Sequence, residues 1–392
     1  MAKDPKEPKA PVDKSKLALA FQELNKKFGD GTIRRGRGSI SNVQGLPTDI
    51  ATLDVAIGCG GLPKGRIIEL FGPESAGKTT TTLTCIASAQ KQGVLCAFVD
   101  VEHALDPKWA KSLGVDVDSL ILSQPDSAEQ ALEVIQTLAE TDQVGLVVLD
   151  SVAGLVPQLE LDGDIGDSHI GLHARLMSQA CRKLNGVILK NGTIVIFINQ
   201  IREKIGVKFG SPETTPGGRA LKFWSSIRIE VKRAGEAIKK SDVKVGFPTK
   251  ATIVKNKVAP PFRVATYNIM FGSKGYEPGI DKMESLVDTA ALVGGLVRSG
   301  SWLTFGDIRL LGKDQWKEYL RGHMELFPAL REKTYNMALG EEGAKALLDM
   351  SEDEIIKASG DDEEDQDPDA LEEAIATQPV TPAVEALERD DD

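Results

Sequence analysis

The run RIIELFGPESAGKTTTTL, residues 66–83, decides the fold. A short apolar segment leads into GPESAGKTT, residues 72–80, which fits the spacing G-x-x-x-x-G-K-[ST]. The apolar segment reads as a strand, and a helix is expected from Lys78. Gly72 and Gly77 let the backbone bend so that successive N–H groups face a phosphate, and the helix N-terminus adds a positive dipole. Pro73, Glu74, Ser75, Ala76, Thr79 and Thr80 complete the expected cradle. Lys78 is placed to reach the β- and γ-phosphates, and Thr79 to offer its hydroxyl to Mg²⁺. A glycine turn with a chance lysine is the competing explanation, and the strand–loop–helix context counts against it.

Outward from this loop, residues 40–276 alternate apolar runs and helical segments. RIIELF, VLCAFVD, SLILS, GLVVLD and TIVIFIN read as strands buried on both faces, hence a mainly parallel sheet. Helices are expected from Lys78, from Ser127 with a capping box through Gln130, and along HARLMSQACRKLNGVILK. IRIEVKR, TKATIVKNK and FRVATYNIMF read as further strands that extend the sheet. Asp150 closes GLVVLD, where a carboxylate can hold Mg²⁺; a helix-capping Asp is the alternative. Glu102 follows another strand in VDVEHALDP. In a parallel sheet the C-terminal strand ends share one rim, so Glu102 is the candidate to orient or deprotonate the attacking water, against a plain surface Glu. Together these elements specify hydrolysis of a nucleoside triphosphate without saying what it drives.

That question falls to the loops. INQIREKIGVKFGSPETTPGGRALKFW, residues 198–224, leaves an apolar strand and reads as irregular for about twenty residues, longer than most loops in compact domains. It carries Arg202, Lys204, Lys208 and Arg219 beside Phe209. LDGDIGDSHIG, residues 161–171, leaves the Asp150 strand in the same way, with Arg175 and Arg182 on the helix that follows. Cations interleaved with apolar and aromatic side chains suit single-stranded nucleic acid, without base-sequence specificity. A lid over the nucleotide is the alternative. In VKNK, Lys255 and Lys257 share a strand face by period two. They read either as solvated lysines or as cations supplied to a phosphate across a subunit interface.

Composition sets the frame. The 392 residues net −11, but residues 361–392 hold 14 Asp or Glu against one Arg, a net of −13, which leaves +2 on the other 360. The body is near neutral and locally basic, and the acidity is mostly a tail. That tail is expected to be disordered, either as a solubiliser or as a tethered polyanion competing for a basic surface. No apolar run is long enough to span a bilayer. The start, MAKDPKEPKAPVDK, does not read as a secretory signal. Cys59, Cys85, Cys96 and Cys181 form no CxxC pair and read as small buried hydrophobes, which fits a reducing cytoplasm. KSKLALAFQELNKKF places Leu17, Phe21, Leu24 and Phe28 on one helical face, ended by GDG. The expected organisation is an arm and helix over 1–39, the core over 40–276, a small mixed domain over 277–352 and an acidic tail over 353–392.

Taken together, GPESAGKTT, VDVEHALDP, LVVLDSVAGLVP, GDIGDSHIGLHARLMSQACRKL, IFINQIREKIGVKFGSPETTPGGRALKFW and VKNKVAPPF resemble the bacterial RecA recombinases over roughly residues 16–350. The resemblance implies an α/β fold: a P-loop NTPase core with a mostly parallel sheet flanked by helices, an N-terminal oligomerisation helix and a small α+β C-terminal domain. It implies ATP and Mg²⁺ as cofactors, a helical homo-filament on single-stranded DNA, exchange with homologous double-stranded DNA, and co-activation of the SOS repressor's self-cleavage. Carried over, Asp106 and Trp109 lie near the base, and Gln200 senses the γ-phosphate. Lys255 and Lys257 reach ATP on the adjacent subunit. Ile170 belongs to a first DNA loop around 162–171, and a second runs from Gln200 through Gly217 and Gly218, with Arg219 beside it. The N-terminal helix packs on a neighbour, the small domain contacts duplex and the tail restrains that step.

The sequence departs from the family at Ala76 (usually Ser), Trp109 and Phe271 (commonly Tyr), Lys208 (usually Met) and Arg219 (usually Asn). Two rivals stand beside this reading. One is a ring-forming DNA motor on the same core, and the other is an ATP switch indifferent to DNA.

Overall fold

The computed structural model describes residues 14–29, 33, 43–164, 171–203 and 213–340. The described residues up to Val43 belong to one compact unit and those from Gln44 onward to another. The first contains α1 (Lys14–Phe28), which ends at Gly29 with φ +101°. Leu17, Leu24 and Phe28 of its apolar face are exposed, Phe28 by 61%. Asn25 brackets Ile33, accepting from its N–H at 2.9 Å and donating to its carbonyl at 3.2 Å.

The second unit is built on a ten-stranded sheet. Its strands are β1 (Ile67–Gly72), β2 (Leu95–Asp100), β3 (Ile121–Ser123), β4 (Val144–Asp150), β5 (Ile194–Gln200), β6 (Ile227–Arg233), β7 (Ile238–Lys240), β8 (Val243–Asn256), β9 (Val264–Phe271) and β10 (Pro278–Ile280). The order is β10-β9-β8-β6-β1-β5-β4-β2-β3, with β7 paired to β8. From β6 to β3 every pairing is parallel; β8, β9 and β10 add in antiparallel fashion. The expected strand extension is therefore present, and β8 is longer than the run TKATIVKNK suggested.

Alternation along each strand feeds two cores, because successive side chains point to opposite faces. Ile68, Leu70, Phe98, Leu146, Val148, Ile196 and Ile198 face α2 (Ala51–Ile57) and α3 (Lys78–Lys91), with Cys85 and Cys96 buried among them. Ile67, Val99, Val147, Leu149, Val195 and Phe197 face α5 (Ala128–Glu140) and α6 (Leu172–Asn191), where Cys181 is buried; the short α4 (Pro107–Ser112) lies between α3 and α5 in the chain. Ser127 caps α5 by accepting from Gln130 N at 3.3 Å. The Gln130 side chain accepts from Asp126 N at 3.1 Å, one residue earlier than a simple capping box predicts.

After α7 (Ala220–Trp224) and the last sheet strands come α8 (Lys282–Val293), a three-stranded sheet β11 (Val297–Ser299), β12 (Trp302–Phe305), β13 (Ile308–Leu311), then α9 (Gly312–Gly322) and α10 (Leu326–Leu339). These enclose Trp316, fully buried with Leu286, Leu303, Leu320 and Leu330, its Nε1 donating to Leu303 O at 2.9 Å.

Candidate active site

β1 delivers the chain into the phosphate loop and α3 carries it away. Gly77 caps α3 with φ +93°, and a Cβ there would sit 2.2 Å from Ile269 Cδ1. Both the backbone conformation and the space demand glycine. Pro73, Glu74 and Ser75 are exposed, Ala76 is buried, and Thr80 continues the first turn of α3. Arg233, at the end of β6, donates from Nε to Ser75 O at 2.9 Å and lies 4.2 Å over the Phe247 ring. Phe247 in turn meets Phe271 at 5.8 Å between ring centroids. This brace under the loop has little sequence signal, since a terminal Arg in IRIEVKR looks like any strand-end cation.

Lys78 is buried, and its Nζ donates to Gly72 O at 3.0 Å and Pro73 O at 2.6 Å. Burial lowers its pKa, while Asp150, Glu102 and Glu74 oppose that shift. Its acceptors are neutral carbonyls, so a phosphate oxygen is the stronger partner on offer. Thr79 Oγ1 donates to Asp150 Oδ2 at 2.7 Å. Burial above all, with help from Glu102 and Asp100, pushes Asp150 up to about 6 against the Thr79 bond and Lys78. A hydroxyl beside one carboxylate suits Mg²⁺, which keeps several waters and takes its remaining ligands from phosphates. The donor set therefore fits a magnesium–nucleotide complex.

Glu102 is exposed at the same rim. Its Oε1 accepts from Ser151 Oγ and, at 3.4 Å, from Gln200 Nε2. Gln200 ends β5 and pairs in register with Gly72, so the strand ends bring these residues together as expected. Asp100 was not anticipated. It pairs in register with Asp150, and its buried carboxylate accepts from Ala104 N at 3.1 Å, Leu105 N at 3.2 Å and Gln124 Nε2 at 3.0 Å. That fixes the turn carrying Glu102. Its cue was an Asp at the strand end in VDVEHALDP. Asp106 caps α4 by accepting from Lys108 N at 2.8 Å, and α4 presents Trp109, which packs against the α3-side core.

Lys255 and Lys257 lie elsewhere. Asn256 pairs with Ile227, which is level with Ile68, so these cations sit at the end of the sheet where β1 begins. β8 stops at Asn256, so Lys257 falls just past the strand and strict period-two alternation does not place it. Both ammonium groups nevertheless converge. Lys255 Nζ donates to Lys222 O at 2.6 Å and Phe223 O at 3.0 Å, and Lys257 Nζ to Phe223 O at 3.4 Å, at the C-terminus of α7. Burial, then Lys257 and Arg228, pushes Lys255 down to about 8 against the pull of Glu69.

Of the loop residues, Ile170, Lys204, Lys208 and Phe209 lie outside the described residues. Arg175, Arg182, Arg202 and Arg219 are exposed. The long loop is less irregular than its sequence suggested: Arg202 and Glu203 pair with Thr214 and Glu213 as a short antiparallel ladder. Its returning arm packs on α6. Gly217 faces Val152 and Met177, and a Cβ on Gly218, at φ +68°, would sit 2.8 Å from Ala174 Cβ. The two loop-bearing segments thus share a wall.

The model of the RecA N-terminal domain matches residues 15–276. Protein RecA of Symbiobacterium thermophilum is 51% identical over 338 residues, covering 85% of this chain and 93% of its own length. Protein RecA of Clostridioides difficile is 50% identical over 334 residues (83% and 94%), and that of Thermus aquaticus 48% over 349 residues (88% and 97%). Strand-end geometry and extended identity converge: this chain belongs to the RecA family, the DNA-dependent ATPases that act as recombinases in DNA recombination and repair.

Proposed function

We propose that the rim at Gly72–Thr80, Glu102, Asp150 and Gln200 binds and hydrolyses ATP, and that Gln200 reports its state to a single-stranded-DNA loop from 200 to 218. One observation carries this reading: Gln200 sits beside Gly72, touches Glu102 and opens the segment that bears the cations. Lys78 and the loop N–H groups hold the phosphates. Thr79 and Asp150 would hold Mg²⁺, which when bound neutralises charge on the β- and γ-phosphate oxygens. Glu102 orients a water and takes its proton as the water oxygen bonds to the γ-phosphorus and the bond to the ADP oxygen breaks. Ser151 and Gln200 hold the carboxylate for that task.

Lys255 and Lys257 act on ATP bound by the next subunit. The support is their position at the opposite end of the sheet from their own chain's phosphate loop. Arg175, Arg182, Arg202, Lys204, Lys208 and Arg219 track DNA phosphates, and Phe209 and Ile170 contact bases. Trp109 and Asp106 border the adenine. The arm over 1–39 joins neighbours in the filament, the domain over 277–352 meets duplex DNA, and the acidic tail restrains that meeting. We place the protein in the cytoplasm, as its four free cysteines suggest. Co-activation of an SOS repressor rests on family membership alone.

The test is ATP hydrolysis with and without single-stranded DNA of arbitrary sequence. Strong stimulation, lost in Glu102→Gln, is the expected result. Hydrolysis indifferent to DNA would overturn the link between rim and loop.

A further inference from the structure

Glu69 is the one charged side chain within the strand that feeds the phosphate loop, and it is fully buried. Its Oε1 accepts from Asn199 Nδ2 at 3.0 Å and its Oε2 from Arg228 Nε at 2.5 Å. Asn199, also fully buried, uses the rest of its amide on the long loop. Nδ2 donates a second time, to Pro216 O at 3.1 Å, and Oδ1 accepts from Gln200 N at 3.0 Å. A side-chain amide has two N–H donors and one carbonyl acceptor, and here every part is engaged. A single side chain therefore holds the first residue of the loop, its closing end, and the strand that leads into the phosphate loop.

The other partner of Glu69 points toward the second half of the site. Arg228 pairs in register with both Glu69 and Lys255, and its guanidinium lies 4.5 Å over the Phe71 ring. The carboxylate thus stands between the loop anchor and the cation proposed to serve the neighbouring subunit. Ordinary core packing does not call for this arrangement. Apolar residues of similar volume would fill the space without a buried ion pair, which is often no more stable than they are.

We propose that Asn199, held by Glu69, is a positioning residue that clamps both ends of the 200–218 segment to the phosphate-loop strand, so that nucleotide binding is transmitted to DNA affinity. This rests on the reading of that segment as the DNA loop. The clamp sets loop geometry; it takes no part in bond making at the phosphate.

The test uses the full-length protein and a labelled single-stranded oligonucleotide. Fluorescence anisotropy gives DNA affinity with and without a non-hydrolysable ATP analogue. The ratio of the two affinities is the coupling, and nucleotide affinity is measured separately without DNA. Asn199→Asp places a second carboxylate beside Glu69 and removes the donor to Pro216. Asn199→Ser removes the reach without adding charge and serves if the first variant does not fold. For Asn199→Ser the coupling is expected to fall at least fivefold with nucleotide affinity close to wild type, while the thermal midpoint drops because Glu69 and Pro216 O lose their buried donor. Glu69→Gln, which keeps an acceptor for Asn199, is expected to lose less. Coupling unchanged in Asn199→Ser would overturn the proposal, and so would a parallel fall of nucleotide affinity and coupling, the mark of a structural role alone. Wild-type protein that shows no coupling would instead overturn the loop assignment itself.

Discussion

The rim around the phosphate loop and the cation pair at Lys255 and Lys257 differ in how complete they are. At the rim, two hydroxyls, two carboxylates and an amide already meet beside the phosphate loop: Thr79 bonds Asp150, and Ser151 and Gln200 bond Glu102. At the cation pair, two ammonium groups converge on the carbonyls that end a one-turn helix. The first is a site prepared within one chain. The second, on the function proposed above, is half of a site completed by another molecule, since it sits at the end of the sheet away from its own phosphate loop. On that reading catalysis sits at a junction between copies, which mixing variants can test.

The largest expected effect tests that junction directly. Glu102→Gln should lower DNA-stimulated hydrolysis by about 10²–10⁴-fold while nucleotide binding persists. Lys255→Ala should also hydrolyse poorly. Mixed in equal amounts, the two should regain roughly a quarter of the wild-type rate, because head-to-tail contacts then pair an intact Glu102 with an intact Lys255 in some junctions. A mixture as inactive as its parts would place both residues in one chain's site.

Next comes the rim. Gly77→Ala forces a Cβ against Ile269 and holds a side chain at φ +93°. About 1–2 kcal/mol of backbone cost is expected, plus displacement of the cradle. Calorimetric titration with ATP should show affinity reduced by more than tenfold, with Lys255 and its surroundings unaffected.

The third test sharpens the cation side. Lys255 has a pKa pushed down to about 8, so it loses its charge as pH rises through that value. The alkaline limb of kcat/KM for ATP should fall near pH 8, by several-fold at pH 9. Lys255→Arg, always charged, should move that limb upward. A limb that stays in place belongs to another group.

The fold was legible because its signals are local. A phosphate-loop spacing, apolar runs of strand length and helical spacing each follow from a few neighbouring residues, and Asp150 and Glu102 inherit their position from strand ends. What escaped depends on partners distant in sequence. Glu69 looks like an oddity in RIIELF until Asn199 and Arg228, 130 and 159 residues later, are brought to it. Arg233 under Ser75 and Asp100 under the Glu102 turn escaped for the same reason. The ladder at Arg202 and Thr214 was hidden because two-residue pairings leave no periodicity to read.

The smallest expected effect concerns the loop that joins the two regions. Replacing Lys208 by Met and Arg219 by Asn should flatten the salt dependence of single-stranded-DNA binding by about one counterion per contacting cation. Equal slopes would mean that neither touches phosphate.

The proposed service of Lys255 and Lys257 to the next subunit's ATP has a consequence for the polymer's extremities. A chain of subunits joined this way has two chemically unlike tips. One terminal subunit holds a nucleotide that no lysines reach, and the other offers lysines to empty solvent. Turnover then counts junctions rather than molecules. On that reading short assemblies should be disproportionately slow, and the tip whose ATP goes unhydrolysed should keep its bound nucleotide longest, so growth and loss need not be equal at the two ends.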